Sequence, residues 1–439
     1  MYFCAKIIVK MFRRILFSLM LLAEISASAA AGSMKMAVIS DVHMMAPSLL
    51  KQDGKALDDY IASDRKLLRE GPWLVREAFA RIVEEAPDVL LISGDLTKDG
   101  ETVSHLYLRD SCLTEVRRAG IRVFVVPGNH DVNNPHAVEF DGDRTARVPS
   151  PSAEEFAQIY ADYGYGDAIA RDPHSLSYVA QLAPGLRLLC LDACRYEDNS
   201  FEENTCITDG RLKRETLRFI KEQARAARED GQRMIAMMHH GTVRHWKWQT
   251  IVMGDYLVDN WRRVSSLLGR LGIDVVFTGH FHSHDISTRG RLTDVETGSL
   301  VSYPAPMRFV EIDGDSMKIR TELLTGEGLS FPSGNSFEQE MLEYADGAMR
   351  GVVDGIIPEK VSPAVKERSC AILAKAYTAH LRGDEVMSAA DEAELKEAVR
   401  ELRGETWLYA FILNRVGRNF WNDLAPADCE TELELRPLK

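Results

Sequence analysis

The sequence lacks an excess of positive charge. Its 66 acidic residues outnumber its 53 basic ones, which leaves a formal net charge of −13 over 439 residues. A protein that binds nucleic acid or an anionic membrane by bulk attraction carries the opposite sign. We therefore expect no nucleic-acid duplex as a partner, whereas an anionic substrate held by metal ions remains compatible with this charge.

Long apolar runs are also missing, and the strongest candidate lies at the N-terminus. Basic residues within 6–14 precede an apolar run at 15–23, and small residues follow at 26–31. This order is that of a secretory signal peptide, and the run is too short to span a bilayer. We predict a signal peptide over 1–31, export to the periplasm or the medium, and no membrane span in the mature chain. Met11 is an alternative start, since a basic segment follows it directly.

Cysteines are few, seven in all, and none has the spacing of a thiolate metal site. Any bound metal is therefore expected to have nitrogen and oxygen ligands. In an exported chain two pairings are candidate disulfides, and the first is favoured: Cys194 with Cys206, across a short polar loop, and Cys370 with Cys429 near the C-terminus.

What the sequence does contain is a series of short apolar strands alternating with helices, typical of a parallel sheet covered by helices. The predicted strands are 36–40, 89–92, 123–126, 176–182, 186–192, 234–238, 275–277, 294–301, 307–313 and 317–324. The predicted helices between them are 72–86, 105–119, 154–163, 211–230 and 261–271. We expect the last three strands to close this α/β domain, residues 34–326, in antiparallel pairing.

The composition changes after Gly326, where glycine, proline and serine indicate a linker. Beyond it the pattern is helical only. The predicted helices are 337–356, 363–382, 391–402 and 406–424. We predict a smaller C-terminal helical domain over residues 335–427.

Polar side chains with nitrogen or oxygen donors follow five of the predicted strands. They are, in chain order, Asp41 and His43, Asp95, Asn129 and His130, His239 and His240, and His280 and His282. Each alone also fits a turn, a helix cap or a buried polar pair. Since ligands of open α/β sheets bind at the carboxyl ends of the strands, their joint occurrence predicts one site. Histidine and carboxylate ligands suit two divalent transition-metal ions, and the neutral Asn129 limits the negative charge facing a phosphate.

These motifs resemble those of the calcineurin-like metallophosphoesterase superfamily. The segments that carry the resemblance are Asp41-x-His43, Gly94-Asp95, Gly128-Asn129-His130-Asp131, His239 and Gly279-His280-x-His282. The resemblance implies an α/β fold, a four-layer αββα sandwich, and two metal ions, Mn, Fe or Zn. It implies one ion held by Asp41, His43, Asp95 and His282, and another held by Asp95, Asn129, His239 and His280.

The same resemblance implies a reaction in which a metal-bridging hydroxide attacks a phosphomonoester or phosphodiester in line. His130 is then no ligand: it contacts the phosphoryl group and assists the leaving oxygen, and Asp131 orients it. Purple acid phosphatases place a metal-binding Tyr three residues after the shared Asp, where this chain has Lys98. Membership of that group is therefore not expected.

Looser similarities narrow the range of expected substrates. Many cyclic-nucleotide-type members read His-His-Pro where this chain has His239-His240-Gly241, a loop difference. The segments 297–299 and 303–304, with the C-terminal helices, are similar to secreted bacterial cyclic nucleotide phosphodiesterases. We expect a small phosphorylated substrate, with a cyclic nucleotide or another small diester favoured. The alternatives are a broad-specificity phosphomonoesterase, a phosphoprotein phosphatase and, in a different class, a non-catalytic binding protein on this fold.

Two further features have two interpretations each. The aromatic residues Trp246, Trp248, Tyr256 and Trp261 either stack a flat group over the site or pack against the helical domain. His380 either reaches the site or is a solvated histidine near a helix end.

Overall fold

The computed structural model of the protein describes residues 33–64 and 66–438. The predicted signal peptide therefore lies outside the described residues, as does Cys4. Within the described part of the chain, no helix combines the length and apolar character needed to cross a membrane.

Strands and helices alternate up to Leu323, and helices dominate the rest of the chain. The strands are β1 (Met34–Ile39), β2 (Leu50–Gln52), β3 (Val89–Ile92), β4 (Arg122–Val125), β5 (Val138–Asp141), β6 (Arg144–Arg147), β7 (Ala170–Arg171), β8 (Tyr178–Ala183), β9 (Leu186–Leu191), β10 (Arg233–Met238), β11 (Val275–Thr278), β12 (Ile286–Arg289), β13 (Leu292–Glu296), β14 (Pro306–Asp313), β15 (Ser316–Leu323) and β16 (Glu430–Glu434). The helices are α1 (Lys55–Ser63), α2 (Gly71–Glu85), α3 (Thr102–Leu108), α4 (Thr114–Arg118), α5 (Ala153–Ile159), α6 (Arg214–Glu229), α7 (Gln249–Val252), α8 (Trp261–Leu271), α9 (Phe337–Ile356), α10 (Pro363–Arg382), α11 (Ala389–Glu405) and α12 (Trp407–Phe420).

Two large sheets carry the α/β part of the chain. The first has the order β16-β15-β14-β1-β3-β4, with β1, β3 and β4 parallel and the other pairings antiparallel. The second has the order β12-β13-β11-β10-β9-β8-β7, with β13, β11, β10 and β9 parallel. A small third sheet, β2-β5-β6, lies beside them. Strands β3 and β11 are buried along their whole length, as expected where both faces of a parallel sheet are covered.

Four layers result from how the sheets pack. One apolar cluster joins the first sheet, through residues such as Val38 and Leu90, to Leu188 and Phe277 of the second. Helix α2 adds Phe79 to the same cluster from the outer side of the first sheet. A separate cluster packs α6 and α8 on the outer face of the second sheet. The predicted αββα sandwich is therefore confirmed.

The C-terminal helices α9 to α12 pack against this sandwich. Ser336 and Ser388 begin α9 and α11 with capping boxes; the start of α9 agrees with the prediction, whereas α11 begins two residues before the predicted 391. One apolar cluster contains Phe420 of α12, Ile372 of α10, and both Trp246 and Phe281 of the α/β part. The helices therefore share a core with the loops that follow β10 and β11.

Some predicted elements differ from the structure. Strand β16 was not predicted because its sequence, Glu430–Glu434, is charged and only half buried, as suits the edge of a sheet. The predicted strand 294–301 ends at Glu296, because the residues after it turn to contact the Asp41 loop, where the Ser299 hydroxyl donates to the carbonyl of Asp41 at 2.8 Å. The predicted antiparallel closure holds for β14 and β15, whereas β13 lies in the other sheet, where it pairs parallel to β11 and antiparallel to β12.

The predicted disulfides are also absent, since the described cysteines are free thiols. The Cys194 thiol donates to the carbonyl of Pro127 at 3.3 Å, and the Cys206 thiol donates to the carbonyl of Asn129 at 3.6 Å. Each thiol thus binds a different carbonyl of the loop after β4.

Candidate metal centre

The strand ends bring the seven predicted metal ligands to one edge of the sandwich. Asp41, Asp95 and Asn129 follow β1, β3 and β4 of the first sheet, whereas His239 and the histidines at 280 and 282 follow β10 and β11 of the second. Three overlapping groups of donors form there. The first contains Asp41, His43 and His282, the second Asp95, His239 and His280, and the third His43, Asp95 and His130. The structure therefore brings these residues together at one place, as the sequence predicts.

Distances within the first group fit a single cation. The Nε2 atom of His282 lies 3.3 Å from Oδ1 of Asp41 and 3.2 Å from Nε2 of His43. Ligand atoms about 2.0–2.2 Å from one ion are separated from each other by roughly 3–3.6 Å. Two imidazole nitrogens this close, beside a fully buried carboxylate, are the donor set of a divalent transition metal.

The second group fits a cation in the same way. Nε2 of His239 lies 3.3 Å from Oδ2 of Asp95 and 3.1 Å from Oδ1 of Asn129. Nε2 of His280 is buried without a hydrogen-bond partner, which costs free energy unless a ligand meets it. Oδ2 of Asp95 is also 3.7 Å from Nε2 of His43, so this carboxylate lies between both groups.

The backbone at the site is held in the left-handed region that non-glycine residues rarely adopt. Such a conformation costs on the order of 1–3 kcal/mol per residue and persists only where the surroundings enforce it. Here, the amide of His43 donates to the carbonyl of Asp95 at 2.9 Å and fixes both loops. The residues concerned are Asp41 (φ 49°), His43 (φ 41°), Asp95 (φ 47°), His280 (φ 77°) and His282 (φ 64°). This strain turns the donors out of the strands and towards one another.

Glycine precedes several of these donors because the site leaves no room for a Cβ atom. A Cβ atom at Gly128 would overlap Oδ1 of Asp95, and one at Gly279 would overlap the side chains of Ser40 and Asp41. A side chain at either position would therefore displace a carboxylate of the metal centre. The glycines in the motifs are required by close approach, not by turn geometry alone.

His130 lies beside the metal ligands, with its side chain 23% exposed to the cleft. Its Nδ1 atom lies 2.8 Å from Oδ1 of Asp99. Burial disfavours the charged imidazole, but the carboxylates of Asp95 and Asp99 outweigh this and raise the pKa of His130 to about 9. The contact with Asp99 fixes the orientation of the imidazole.

The predicted contact between Asp131 and His130 is wrong. The carboxylate of Asp131 points beneath its own loop, where it accepts hydrogen bonds from the amides of Gly128 at 2.8 Å and Leu96 and Thr97 at 3.0 Å each. Asp131 therefore joins the loops after β3 and β4, and Asp99 takes the orienting role.

Asp99 is itself held by a buried network that the sequence did not reveal. The ammonium of Lys98 contacts Asp99 and lies 2.9 Å from Glu101, and the hydroxyl of Tyr60 donates to Asp99 at 2.8 Å. Burial works against the Asp99 carboxylate, but Lys98 and His130 outweigh it and lower its pKa. Lys98, which stands where purple acid phosphatases have a metal-binding Tyr, thus supports the orientation of His130.

Lys66 is a second residue that sequence reasoning missed. Its buried ammonium lies 3.5 Å from Nδ1 of His43 and donates to Asp64 at 2.9 Å, and the residue lines the cleft beside the metal centre. It lies in a stretch without clear periodicity, where no motif marked it. Lys66 thus places a buried ammonium, paired with Asp64, beside the metal centre.

The remaining candidates from the sequence lie in different places. The ring of Tyr256 is 4.7 Å from that of His280, whereas Trp246 packs on Phe420 at 4.5 Å, so one aromatic residue faces the site and another faces the helices. Trp248 lies near Phe411 of α12, and Trp261 packs on the opposite side with arginines. His240 is not in any of these donor groups, since its Nε2 bonds the carbonyl of Thr208 at 2.9 Å. His380 is fully buried and does not line the cleft, so neither of its two interpretations is correct.

Fold and site together define a metal-dependent phosphoric ester hydrolase. Residues 34–284 match the family of calcineurin-like phosphoesterases, and the chain belongs to this family. The family implies two divalent metal ions, and the two donor groups around Asp95, with the unpartnered nitrogen of His280, fit them.

Individual relatives are more distant. A probable cyclic nucleotide phosphodiesterase of Synechococcus sp. is 23% identical over 243 residues, which cover 54% of this chain and 76% of the relative. A dimetal phosphatase from Danio rerio shows a TM-score of 0.47 at 15% identity, covering 66% of this chain and 96% of its own. The Plasmodium protein GAP50, an anchor in the inner membrane complex, shows a TM-score of 0.40 at 7% identity, covering 72% and 95%.

Proposed function

We propose that the chain is an exported phosphoesterase that hydrolyses small phosphodiesters, with cyclic nucleotides favoured. Two divalent transition-metal ions, Mn, Fe or Zn, would be held by the residues at 41, 43, 95, 129, 239, 280 and 282. When bound, such ions supply Lewis acidity and an activated nucleophile at neutral pH. The observation that carries the proposal is the shape and lining of the cleft beside these residues.

The cleft has a volume of about 640 Å³ and lies between the metal-ligand loops and the helices α9 and α10. This size is typical of sites for small molecules, which are concave and largely apolar with a few convergent polar groups. Its lining includes the polar residues Lys66, Asn129 and His130, together with several aromatic residues. Those aromatic residues are Tyr256, Phe281, Tyr303, Tyr344 and Tyr377.

Different residues of this lining would contact the phosphate, the leaving oxygen and the base of a nucleotide. Lys66 attracts the phosphate, and His130 lies at the edge of the metal centre, where its Nε2 proton can pass to the leaving oxygen. The ring of Tyr256 beside His280 offers a face on which a base can stack, an interaction worth about 1–3 kcal/mol per base. The relative from Synechococcus, described as a probable cyclic nucleotide phosphodiesterase, supports the same substrate class.

The alternatives fit the cleft less well. A phosphoprotein would have to bring a loop past α9 and α10, which cover one side of the metal centre. A broad phosphomonoesterase needs no aromatic wall. A non-catalytic binding protein needs no His130 held by Asp99, and it would not need every metal-ligand position to be filled.

Steady-state hydrolysis separates these functions. The chain from about Ala31 would be stripped of metal, reloaded with Mn, Zn or Fe, and assayed with bis-p-nitrophenyl phosphate, p-nitrophenyl phosphate, and 2′,3′- and 3′,5′-cyclic nucleotides. Dominant turnover of diesters supports the proposal, and turnover of monoesters alone replaces it with a phosphatase. Metal-loaded protein that hydrolyses none of them would make the chain a binding protein.

Export is a separate proposal and rests on the order of basic, apolar and small residues in 1–31. Expression of the full chain should give an exported product whose mass corresponds to a start near Ala31. Retention of the unprocessed chain inside the cell would reject this proposal without affecting the enzymatic one.

A bulky residue on α9 should discriminate between substrates by size. Ala348 lines the cleft, so Ala348→Trp should lower kcat/KM for cyclic nucleotides by about 10-fold or more, a loss that corresponds to about 1.4 kcal/mol. Turnover of the smaller p-nitrophenyl phosphate should change much less. Glu343→Trp, at an exposed position of the same helix, is the matched control. Equal losses on both substrates would show that α9 does not contact the substrate.

A further inference from the structure

A second buried cluster of metal-type donors lies between the α/β part and the C-terminal helices. We propose that Asp285, His380 and Glu385 hold a third, structural divalent cation that fastens α10 to the loop carrying His280 and His282. Asp285 lies between β11 and β12, and the other two residues lie at the end of α10 and just after it. None of the three lines the cleft beside the metal centre.

The geometry of the three donors fits one ion. One ligand atom from each residue lies within 4.8 Å of the other two. Nδ1 of His380 is 2.8 Å from Oε1 of Glu385 and 4.0 Å from Oδ2 of Asp285. Two ligand atoms of one transition-metal ion are separated by a distance between these two values. A small shift of the two carboxylates would bring the longer distance into that range.

Unpartnered polar atoms point to a missing ligand at this place. Oδ2 of Asp285 and Oε2 of Glu385 have no hydrogen-bond partner although both side chains are at most 1% exposed. Oδ1 of Asp423, the neighbouring carboxylate after α12, is buried and unpartnered too. A buried carboxylate oxygen without a partner is costly, and Asp285 and Glu385 each contribute one to this cluster, which a cation would satisfy.

The charges of the surroundings lead to the same conclusion. Buried carboxyl groups outnumber the basic groups in this network. The carboxyl groups are Asp285, Asp294, Glu296, Glu385 and Asp428, and the basic groups are His245, His380 and Arg308. A divalent cation would balance the excess.

Apart from the hydrogen bond between Nδ1 of His380 and Oε1 of Glu385, the contacts of these residues use other atoms. Oδ1 of Asp285, and not Oδ2, contacts Nδ1 of His245 and accepts from Ser287 at 3.0 Å. The ring of His380 packs against Phe420 and Phe281, with centroids 5.4 and 5.9 Å away, which keeps bulk water from its face. One imidazole and two carboxylates in a closed, buried position suit a structural Zn²⁺ or Mn²⁺.

Metal counting tests the site on the whole chain. The protein would be loaded with Zn²⁺, freed of excess ions, and analysed by inductively coupled plasma mass spectrometry. We expect three ions per wild-type chain and two in Glu385→Gln, with a lower Tm for the variant in Zn²⁺ and equal Tm values after chelation. Asp274→Asn, which removes a buried carboxylate that binds Arg291 and Arg436, should keep three ions.

Other results overturn the proposal. Two ions in the wild type would mean that protonation satisfies the cluster, and three in Glu385→Gln would place the third ion elsewhere. If Glu385→Gln fails to fold, Asp95→Ala decides the question, because it removes the shared carboxylate of the metal centre. One retained ion in Asp95→Ala supports the third site, and none rejects it.

Discussion

Replacing Asp95 with alanine should abolish hydrolysis, with kcat/KM lower by on the order of 10³-fold or more. The reason is its position: Oδ2 of Asp95 lies 3.3 Å from Nε2 of His239 and 3.7 Å from Nε2 of His43, so both donor groups lose a ligand at once. We expect the metal content to fall together with activity. The measurement is kcat/KM with the best diester, combined with metal analysis of the same sample.

Asp88→Ala is the matched control for Asp95→Ala. Asp88 is exposed at the opposite end of β3, where it accepts a hydrogen bond from the amide of Lys35 at 2.8 Å. This variant should keep both activity and metal. Full metal content and normal turnover in Asp95→Ala would show that the carboxylate is not shared by two ions.

The second large effect is expected for His130→Ala, which removes the proton donor to the leaving oxygen. General acid catalysis contributes about 10²–10⁴-fold, so kcat for a cyclic nucleotide, whose leaving group is a ribose alcohol, should fall by that amount. Nitrophenolate leaves without a proton, and the loss with bis-p-nitrophenyl phosphate should be much smaller. Metal content should not change, since His130 is not a predicted ligand.

Asp99→Asn tests the positioning of His130. An amide in place of the carboxylate weakens the contact of 2.8 Å to Nδ1, so we expect the same dependence on the leaving group with a smaller loss. His136→Ala is the control, because its Nε2 bonds the carbonyl of Asn204 and it does not line the cleft. Equal losses with both types of leaving group in His130→Ala would assign His130 to phosphate binding instead of proton transfer.

Much of the fold was predictable because the core strands are locally unambiguous. Val89–Ile92 is apolar and wholly buried, and its hydrogen-bonding neighbours follow from the alternation of strands and helices. The edges were not predictable in this way. Strand β16 is charged, and only its pairing with β15, far away in sequence, makes it a strand.

The metal centre was predictable for a related reason. The carboxyl ends of neighbouring parallel strands lie at the same edge of a sheet, whatever the conformation of the loops. Asp41, Asp95 and His239 were therefore expected to converge once the strands were known. The direction of a side chain within a loop follows no such rule. Asp131 and Asp99 both follow strand ends, and the sequence alone favoured the wrong one for His130.

The sequence by itself determined the family and the residues able to bind metal, because these depend on residue type and order along the strands. Only the tertiary structure placed Asp99, Lys98 and Lys66 around the site and closed the cleft with α9 and α10. It also brought Asp285 next to His380 and Glu385. Such contacts join segments distant in the chain, and their geometry arises when loops and helices pack together, a long-range effect that local pattern does not encode.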